Sequence, residues 1–245
     1  MCGVGESEPT AAQQRLPYKK QAAEQAVTLV EPGMVVGLGT GSTAIFATRR
    51  LAELLRQGAL REVLGFATSQ ATWQEAHRLG IPLLAQDMPR EIDLTIDGAD
   101  EVDPELNVIK GGGGAMLREK IVAQASRRVV ITVDDSKLSP RLGSHHPVPA
   151  EVLAFGWRSQ LRFLESLQAR VSIRKNPDGS QFFTDSGNMV LDCDFGPIPD
   201  AVSLAAKLDT RAGIVEHGLF LGLLTDLIVA GPGGIQHRKR STQET

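Results

Sequence analysis

The chain has 245 residues, 42% of them apolar and 22% charged, with a net charge of −3. That balance suits a globular protein with one large core and room for a small companion. It excludes an overall basic field for nucleic acid or anionic membrane, and no run approaches the roughly 18–20 apolar residues of a membrane span.

Residues Met1 to Arg15 are small and polar, lack an apolar secretory stretch, and carry Glu6 and Glu8, which argue against a transit peptide. They read as a frayed leader. A helical period then covers Tyr18 to Val30, and "MVVGLGTGST" from Met34 reads as a buried strand ending in a glycine-rich turn. Further apolar runs begin at Val63 ("VLGFATSQAT"), Ile92 ("IDLTIDGAD"), Arg128 ("RVVITVDDSK") and Leu227 ("LIVAGPGG"). Near-continuous apolar runs are what parallel strands covered on both faces require. Helical patterns at Ala44 to Arg56, Gln70 to Leu79 and Ala115 to Ser126 alternate with them. The fold class is therefore α/β, an open, mostly parallel, Rossmann-like sheet flanked by helices.

From about Gly143 the pattern changes. "PAEVLAFGWRSQLRFLESL" reads as one amphipathic helix, and "RVSIRKNPDGSQFFTDSGNMVLDCDF" carries turn signals at Asn176–Gly179 and Asp185–Asn188. Residues 143–213 are expected to form a small α+β domain inserted into a catalytic domain of residues 1–142 plus 214–245. Phe155 and Trp157 read either as subunit interface or as core. The terminal His237-Arg238-Lys239-Arg240 reads as a solvated tail. Cys2 and Cys193 fit neither a disulfide framework nor a metal site, which points to a reducing, cytoplasmic setting.

The polar residues cluster where the predicted strands end, the edge at which open α/β sheets bind ligands. In "GLGTGST" a strand runs through glycines into a helix start, whose unpaired N–H groups and dipole favour an anion. Serine stands at Ser42 where a dinucleotide fingerprint wants glycine, and the P-loop lysine is absent, so a small phosphate ester fits better. Asp97 and Asp100 read as hydroxyl or proton partners, with a turn closing the strand as the plainer alternative. Glu101, Asp103 and Glu105 read as solvated. Lys110, before Gly111-Gly112-Gly113-Gly114, supplies a compact charge for an oxyanion.

On the following helix Leu117, Ile121 and Ala125 share an apolar face. Glu119 falls at its edge, either a base made stronger by desolvation or an ordinary surface glutamate. Arg118 is expected to be partly buried against a carboxylate. Lys137 can reach a phosphate or lie in solvent. The five histidines show no ligand or triad spacing, and no Gly-x-Ser-x-Gly elbow exists.

Taken in order, "GLGTGST", "DGADEVD", "KGGGGAMLREK", "DDSK", "TDSGN" and "GIVEHGLF" make the chain similar to the ribose-5-phosphate isomerase A family, from about Lys19 to Gly234. The resemblance implies interconversion of an aldose and a ketose phosphate through an enediolate, with Glu119 moving the proton between C2 and C1. It implies substrate contacts at Thr40, Gly41, Ser42 and Thr43, at Asp97, Gly98, Ala99 and Asp100, at Lys110, Gly111, Gly112 and Gly113, and at Lys137, with Lys19 or Lys20 facing the phosphate. Lys110 and the glycine-turn N–H groups would hold the enediolate, with Asp97 and Asp100 as hydroxyl and ring-opening partners whose separate roles stay undivided. It implies no cofactor and no metal, no nucleic-acid or membrane partner, and a homodimer or homotetramer. A sugar-phosphate sensor and a relative acting on another sugar phosphate are the rivals. A sensor should bring a DNA-reading helix pair, for which the leader is too short and acidic.

Overall fold

In the computed structural model, residues 11–240 apart from 89 are described; the part of the proposed leader before residue 11 lies outside them. The elements run α1 (Ala11–Val27), β1 (Val35–Leu38), α2 (Ala44–Arg56), β2 (Leu64–Ala67), α3 (Gln70–Arg78), β3 (Leu94–Asp97), β4 (Glu101–Val102), β5 (Val108–Ile109) and α4 (Met116–Gln124). They continue with β6 (Val129–Asp134), β7 (Val148–Val152), α5 (Trp157–Ser166), β8 (Arg170–Ile173), β9 (Met189–Asp194), α6 (Ala201–Asp209), β10 (Ile214–His217), β11 (Leu219–Phe220), β12 (Asp226–Gly231) and β13 (Gly234–Lys239).

The five apolar runs become the parallel strands of the main sheet, ordered β13-β12-β6-β3-β1-β2, and only β13 is antiparallel. β1, β3, β6 and β12 are buried along their whole length, as the missing polar alternation requires. α1 and α2 cover one face around Ala22, Ala26, Leu51 and Ile228. Met116, Ile131, Phe220 and Val229 fill the core on Val102 and Val108, strands of a three-stranded sheet β11-β5-β4. The chain leaves β1 for β2 on one side and returns with β3 on the other. The loops after β1 and β3 therefore part there, opening a crevice at a topological switch point.

A four-stranded antiparallel sheet, β10-β7-β9-β8, carries α5 and α6 over its own core of Leu164, Leu191 and Leu208. The two turns behave as the sequence indicates: the Gly179 N–H donates to Asn176 O at 2.9 Å, and the Gly187 N–H to Thr184 O at 2.9 Å.

Three sequence expectations are corrected. The single helix from Pro149 is a strand followed by a helix. Val148–Val152 is buried between β9 and β10, and left-handed Gly156 (φ 68°) resets the chain before Trp157. Sheet pairing has overridden the helical pattern there. Most of the basic tail lies in β13, the edge strand paired residue for residue with β12; the strand's side chains are exposed, but one side of its backbone is bonded to the sheet. α1 begins before Pro17, and Arg15 pairs with Asp135 at the end of β6, so that part of the leader is anchored.

Candidate active site

β3 delivers Asp97 to the crevice, where the carboxylate is almost fully buried. Its Oδ1 accepts the Thr40 N–H at 3.1 Å and the Gly98 N–H at 2.7 Å, tying the loops after β1 and β3 together. Glycine is required at Gly39: an added Cβ would stand 2.2 Å from Asp97 Oδ1 and 2.6 Å from its Cα. Asp97 Oδ2 lies 3.0 Å from Lys110 Nζ, which also lies 3.2 Å from Glu119 Oε1 and donates to Gly98 O at 2.6 Å. A lysine ammonium has three protons, and all three are engaged.

This buried triad carries one cation between two acids. Desolvation alone would lower Lys110, but the carboxylates of Asp97 and Glu119 hold it above the ordinary lysine range. Burial raises Asp97 despite Lys110. Burial also pushes Glu119 up to about 8, with Lys110 opposing and the Asp97 charge adding to the rise. Glu119 Oε2 is the one fully buried side-chain oxygen or nitrogen without a hydrogen-bond partner among the described residues. A buried carboxylate oxygen left unpaired is costly and is poised to take a proton.

α4 reaches this arrangement with a face opposite to that expected. Its buried residues are Met116, Glu119, Lys120, Val122 and Ala123, whereas Ile121 is 48% exposed. Charged groups can face inward because each has a partner. Glu119 meets Lys110, while Lys120 pairs with Glu216 and donates to the His217 carbonyl at 2.8 Å. Lys110 and Lys120 both stand over the Phe220 ring, at 5.7 and 4.9 Å from its centroid. Arg118 is half-buried and lies 3.6 Å from Asp185, as anticipated.

The loop after β1 forms a cradle of unbonded backbone N–H groups. Gly41 takes a left-handed φ of 115°, and Thr43 enters α2 with no side-chain cap. None of the N–H groups from Gly41 to Ala44 is bonded within the described residues. Lys19 Nζ donates to Ser42 Oγ at 2.9 Å, whereas Lys20 turns to Glu24, so of the two lysines Lys19 stands at the cradle. Thr40 is turned inward. Its hydroxyl meets those of Thr68 (2.8 Å), Ser69 (2.8 Å) and Thr72 (3.0 Å), which fastens the loop to the start of α3.

The glycine turn faces this cradle, with the Cβ position of Gly113 4.0 Å from Thr40 Cγ2. The Gly112 N–H donates to Asp100 Oδ2 at 2.7 Å. From the second sheet, Arg174 Nη1 donates to the carbonyls of Gly111 (2.6 Å) and Gly112 (3.2 Å). A cavity of about 490 Å³ between α3 and α4, lined by Trp73, Met88, Leu117 and Ile121 among others, is separate from the Asp97, Lys110 and Glu119 cluster, none of which lines it.

A family model described as ribose 5-phosphate isomerase A (phosphoriboisomerase A) matches residues 64–234. A ribose-5-phosphate isomerase A of Chloroflexus aurantiacus is 59% identical over 219 residues, covering 89% of this chain and 92% of that protein. The chain belongs to the ribose 5-phosphate isomerase A family. A second relative, from Desulfatibacillum aliphaticivorans, is 54% identical over 90% of this chain and 96% of its own length. Among solved isomerases, one in complex with phospho-erythronic acid is 34% identical with a TM-score of 0.88, covering 93% of this chain and 99% of that one. That of Methanocaldococcus jannaschii is 37% identical with a TM-score of 0.86, covering 92% and 99%. The chain is thus an isomerase interconverting ribose 5-phosphate and ribulose 5-phosphate.

Within this isomerase several sequence readings are revised. Glu101 is not solvated: it is buried and accepts the N–H groups of Gly143, Ser144, His145 and His146 at 3.0–3.4 Å, pinning the loop before β7. Asp103 is buried too, bonded to the Asn107 backbone and side chain, and burial raises it; Glu105 alone is exposed as expected. Lys137 is half-buried with its Nζ 3.5 Å from His146 Nε2, and burial first, then Lys137, lowers that imidazole. Ala99 is partly buried against the core around Val102. His217 joins Asp209 and Glu216 in one cluster, but the Lys120 ammonium already sits on Glu216 there. Sequence reasoning missed Lys120, Arg174 and the Thr72 hydroxyl beside Thr40. Lys120 sits in the quoted "REK" motif and could have been suspected; an arginine after an exposed strand gives no local signal.

Proposed function

We propose that Glu119 is the base, and that the observation carrying this assignment is its buried, unpartnered Oε2 beside the Lys110 ammonium. Oε2 takes the C2 proton of the open-chain aldose phosphate, and the C–H electron pair becomes the C1=C2 bond of an enediolate. The same proton returns to C1, while the O2 hydroxyl proton is lost and O1 gains one, giving the ketose. As Glu119 is protonated its negative charge reappears on the substrate oxygens, and Lys110 stands next to both locations. The contact with Glu119 Oε1 is the one it can release, because Gly98 O and Asp97 keep the other two protons. Lys110 thereby acts as the oxyanion partner together with the glycine-turn N–H groups.

The two aspartates separate on geometry. Both oxygens of Asp97 are spent on Thr40, Gly98 and Lys110, which supports a role in holding the loops and the lysine. Asp100 is half-buried and spends only Oδ2, on Gly112, which leaves Oδ1 for hydroxyl protons and ring opening. The phosphate takes the Gly41 to Ala44 N–H groups with Ser42, Thr43 and Lys19, and Lys137 lends further positive charge. Thr40 contributes by fastening the loop, and Gly98, Ala99 and Gly111 to Gly113 supply backbone that lies close to the sugar. A homodimer or homotetramer in the cytoplasm, serving the non-oxidative pentose phosphate pathway, completes the reading. Phe155, 92% exposed, is the first residue to probe by sedimentation.

The test is ribulose 5-phosphate formation from ribose 5-phosphate in excess chelator, wild type beside Glu119→Gln. A general base contributes about 10²–10⁴-fold, so the variant should lose at least that while still binding substrate. Near-normal turnover in Glu119→Gln would remove it as the base. Binding without turnover in the wild type would favour a sensor.

A further inference from the structure

We infer that Arg174, anchored by Asp192, is a positioning residue that orients the glycine-turn peptides toward the reacting oxygens, an inference that rests on the reading of the site given above. Arg174 follows β8 and belongs to the antiparallel sheet, yet its guanidinium crosses to the turn between β5 and α4. Every face of its fork is used. Nε donates to Asp192 Oδ2 at 3.0 Å, Nη2 pairs with Asp192 Oδ1, and Nη1 takes the Gly111 and Gly112 carbonyls. Both partners are largely buried, with side chains 13% and 19% exposed, and the guanidinium stands 5.8 Å from the Phe182 ring centroid. Phe182 closes the turn from the same side: an added Cβ on Gly114 would lie 2.4 Å from its Cζ.

A peptide group is a rigid plane, so a carbonyl held on one side sends its N–H to the other. Arg174 holds the carbonyl of the Gly111–Gly112 peptide, and the N–H of that peptide reaches Asp100. It also holds the carbonyl of the Gly112–Gly113 peptide, whose N–H makes no hydrogen bond among the described residues. That N–H points away from Arg174, and the Cβ position of the same residue lies 4.0 Å from Thr40 Cγ2, beside the cradle. A run of four glycines has no side chains to fix these planes, and glycine backbone is free to flip. An external clamp is therefore what makes a flexible turn a preorganised donor. Lysine cannot replace it, since a point charge cannot bond a carboxylate in two places and two carbonyls as well.

Arg174→Ala, Arg174→Lys and Asp192→Asn should be compared with wild type for kcat, KM, inhibition by inorganic phosphate and by phospho-erythronic acid, and Tm. The planar carboxylate of phospho-erythronic acid stands in for the charged end of the enediolate. Misplaced donors cost about 10- to 100-fold in kcat. The expected pattern is that loss in both arginine variants and a smaller one in Asp192→Asn. KM and phosphate inhibition should stay within about twofold, and affinity for phospho-erythronic acid should fall in step with kcat/KM. Wild-type kcat in a folded Arg174→Ala or Asp192→Asn overturns the inference. So does an equal weakening of phosphate inhibition and kcat with a lowered Tm, which marks a role in folding alone. An inactive wild type instead overturns the reading of the site.

Discussion

Replacing Glu119 by glutamine keeps the shape of the side chain and removes a charge that the fold disfavours. Burial pushes this carboxyl up to about 8 from an ordinary 4.5. Because the folded value lies above the unfolded one, folding favours the protonated form. The associated stability is complete below about 4.5, declines as pH rises toward 8, and stays lost above it. Each pH unit inside that window is worth about 1.4 kcal/mol. Between pH 6 and pH 9 the wild type should therefore give up roughly 2–3 kcal/mol that the glutamine variant keeps. For a chain of this length that is about 5–10 °C in Tm. Lys110 stays protonated throughout, since the carboxylates hold it above the ordinary lysine range, and Asp97 is common to both proteins. Circular-dichroism melts of both proteins across that pH range read the gap directly, with turnover measured on the same samples. A variant that is nearly inactive but increasingly the more stable as pH rises is the expected result. A gap that is constant or narrows with pH would show that Glu119 is not held protonated by its surroundings, and the account of its basicity would fail.

The same titration should govern catalysis, because a base must be ionised to work. kcat/KM of the wild type should climb as pH rises toward about 8, and an acidic limb near 4.5 would contradict the burial argument. Lys19→Ala should raise KM about tenfold or more with kcat little changed, Lys137→Ala should act in the same sense, and a collapse of kcat alone in steady-state kinetics would move either lysine into the chemistry. Asp97→Asn leaves a buried lysine short of a counter-charge and should cost about 3–5 kcal/mol in denaturant unfolding. Asp100→Asn, at a half-buried position whose carboxylate is bonded only to the Gly112 N–H, should melt within a few degrees of wild type yet turn over at least tenfold more slowly. Equal destabilisation by both would erase the division of roles between them.

The sequence by itself determined the class of fold and nominated the candidate site residues. Short apolar runs without alternation, bounded by glycine and polar turns, suit strands covered on both faces, and glycines and acids at their ends mark the ligand edge. That local grammar nominated Asp97, Asp100, Lys110 and the loop from Thr40 to Thr43, while Glu119 stayed open between base and surface glutamate until the family resemblance was added. What the tertiary structure decided depends on who faces whom. Helical periodicity put Leu117 and Ile121 inside, but α4 docks through Glu119 and Lys120, because Lys110 and Glu216 neutralise them there. "VPAEV" became a strand because two neighbours had edges to pair with it. Glu101, charged and beside a turn, is buried because four N–H groups from a loop more than 40 residues later converge on it. Arg174 reaches a turn more than 60 residues earlier in the chain. Propensity and period are properties of neighbours along the chain, whereas the pairing of a buried charge is a property of neighbours in space, and only the fold brings those together.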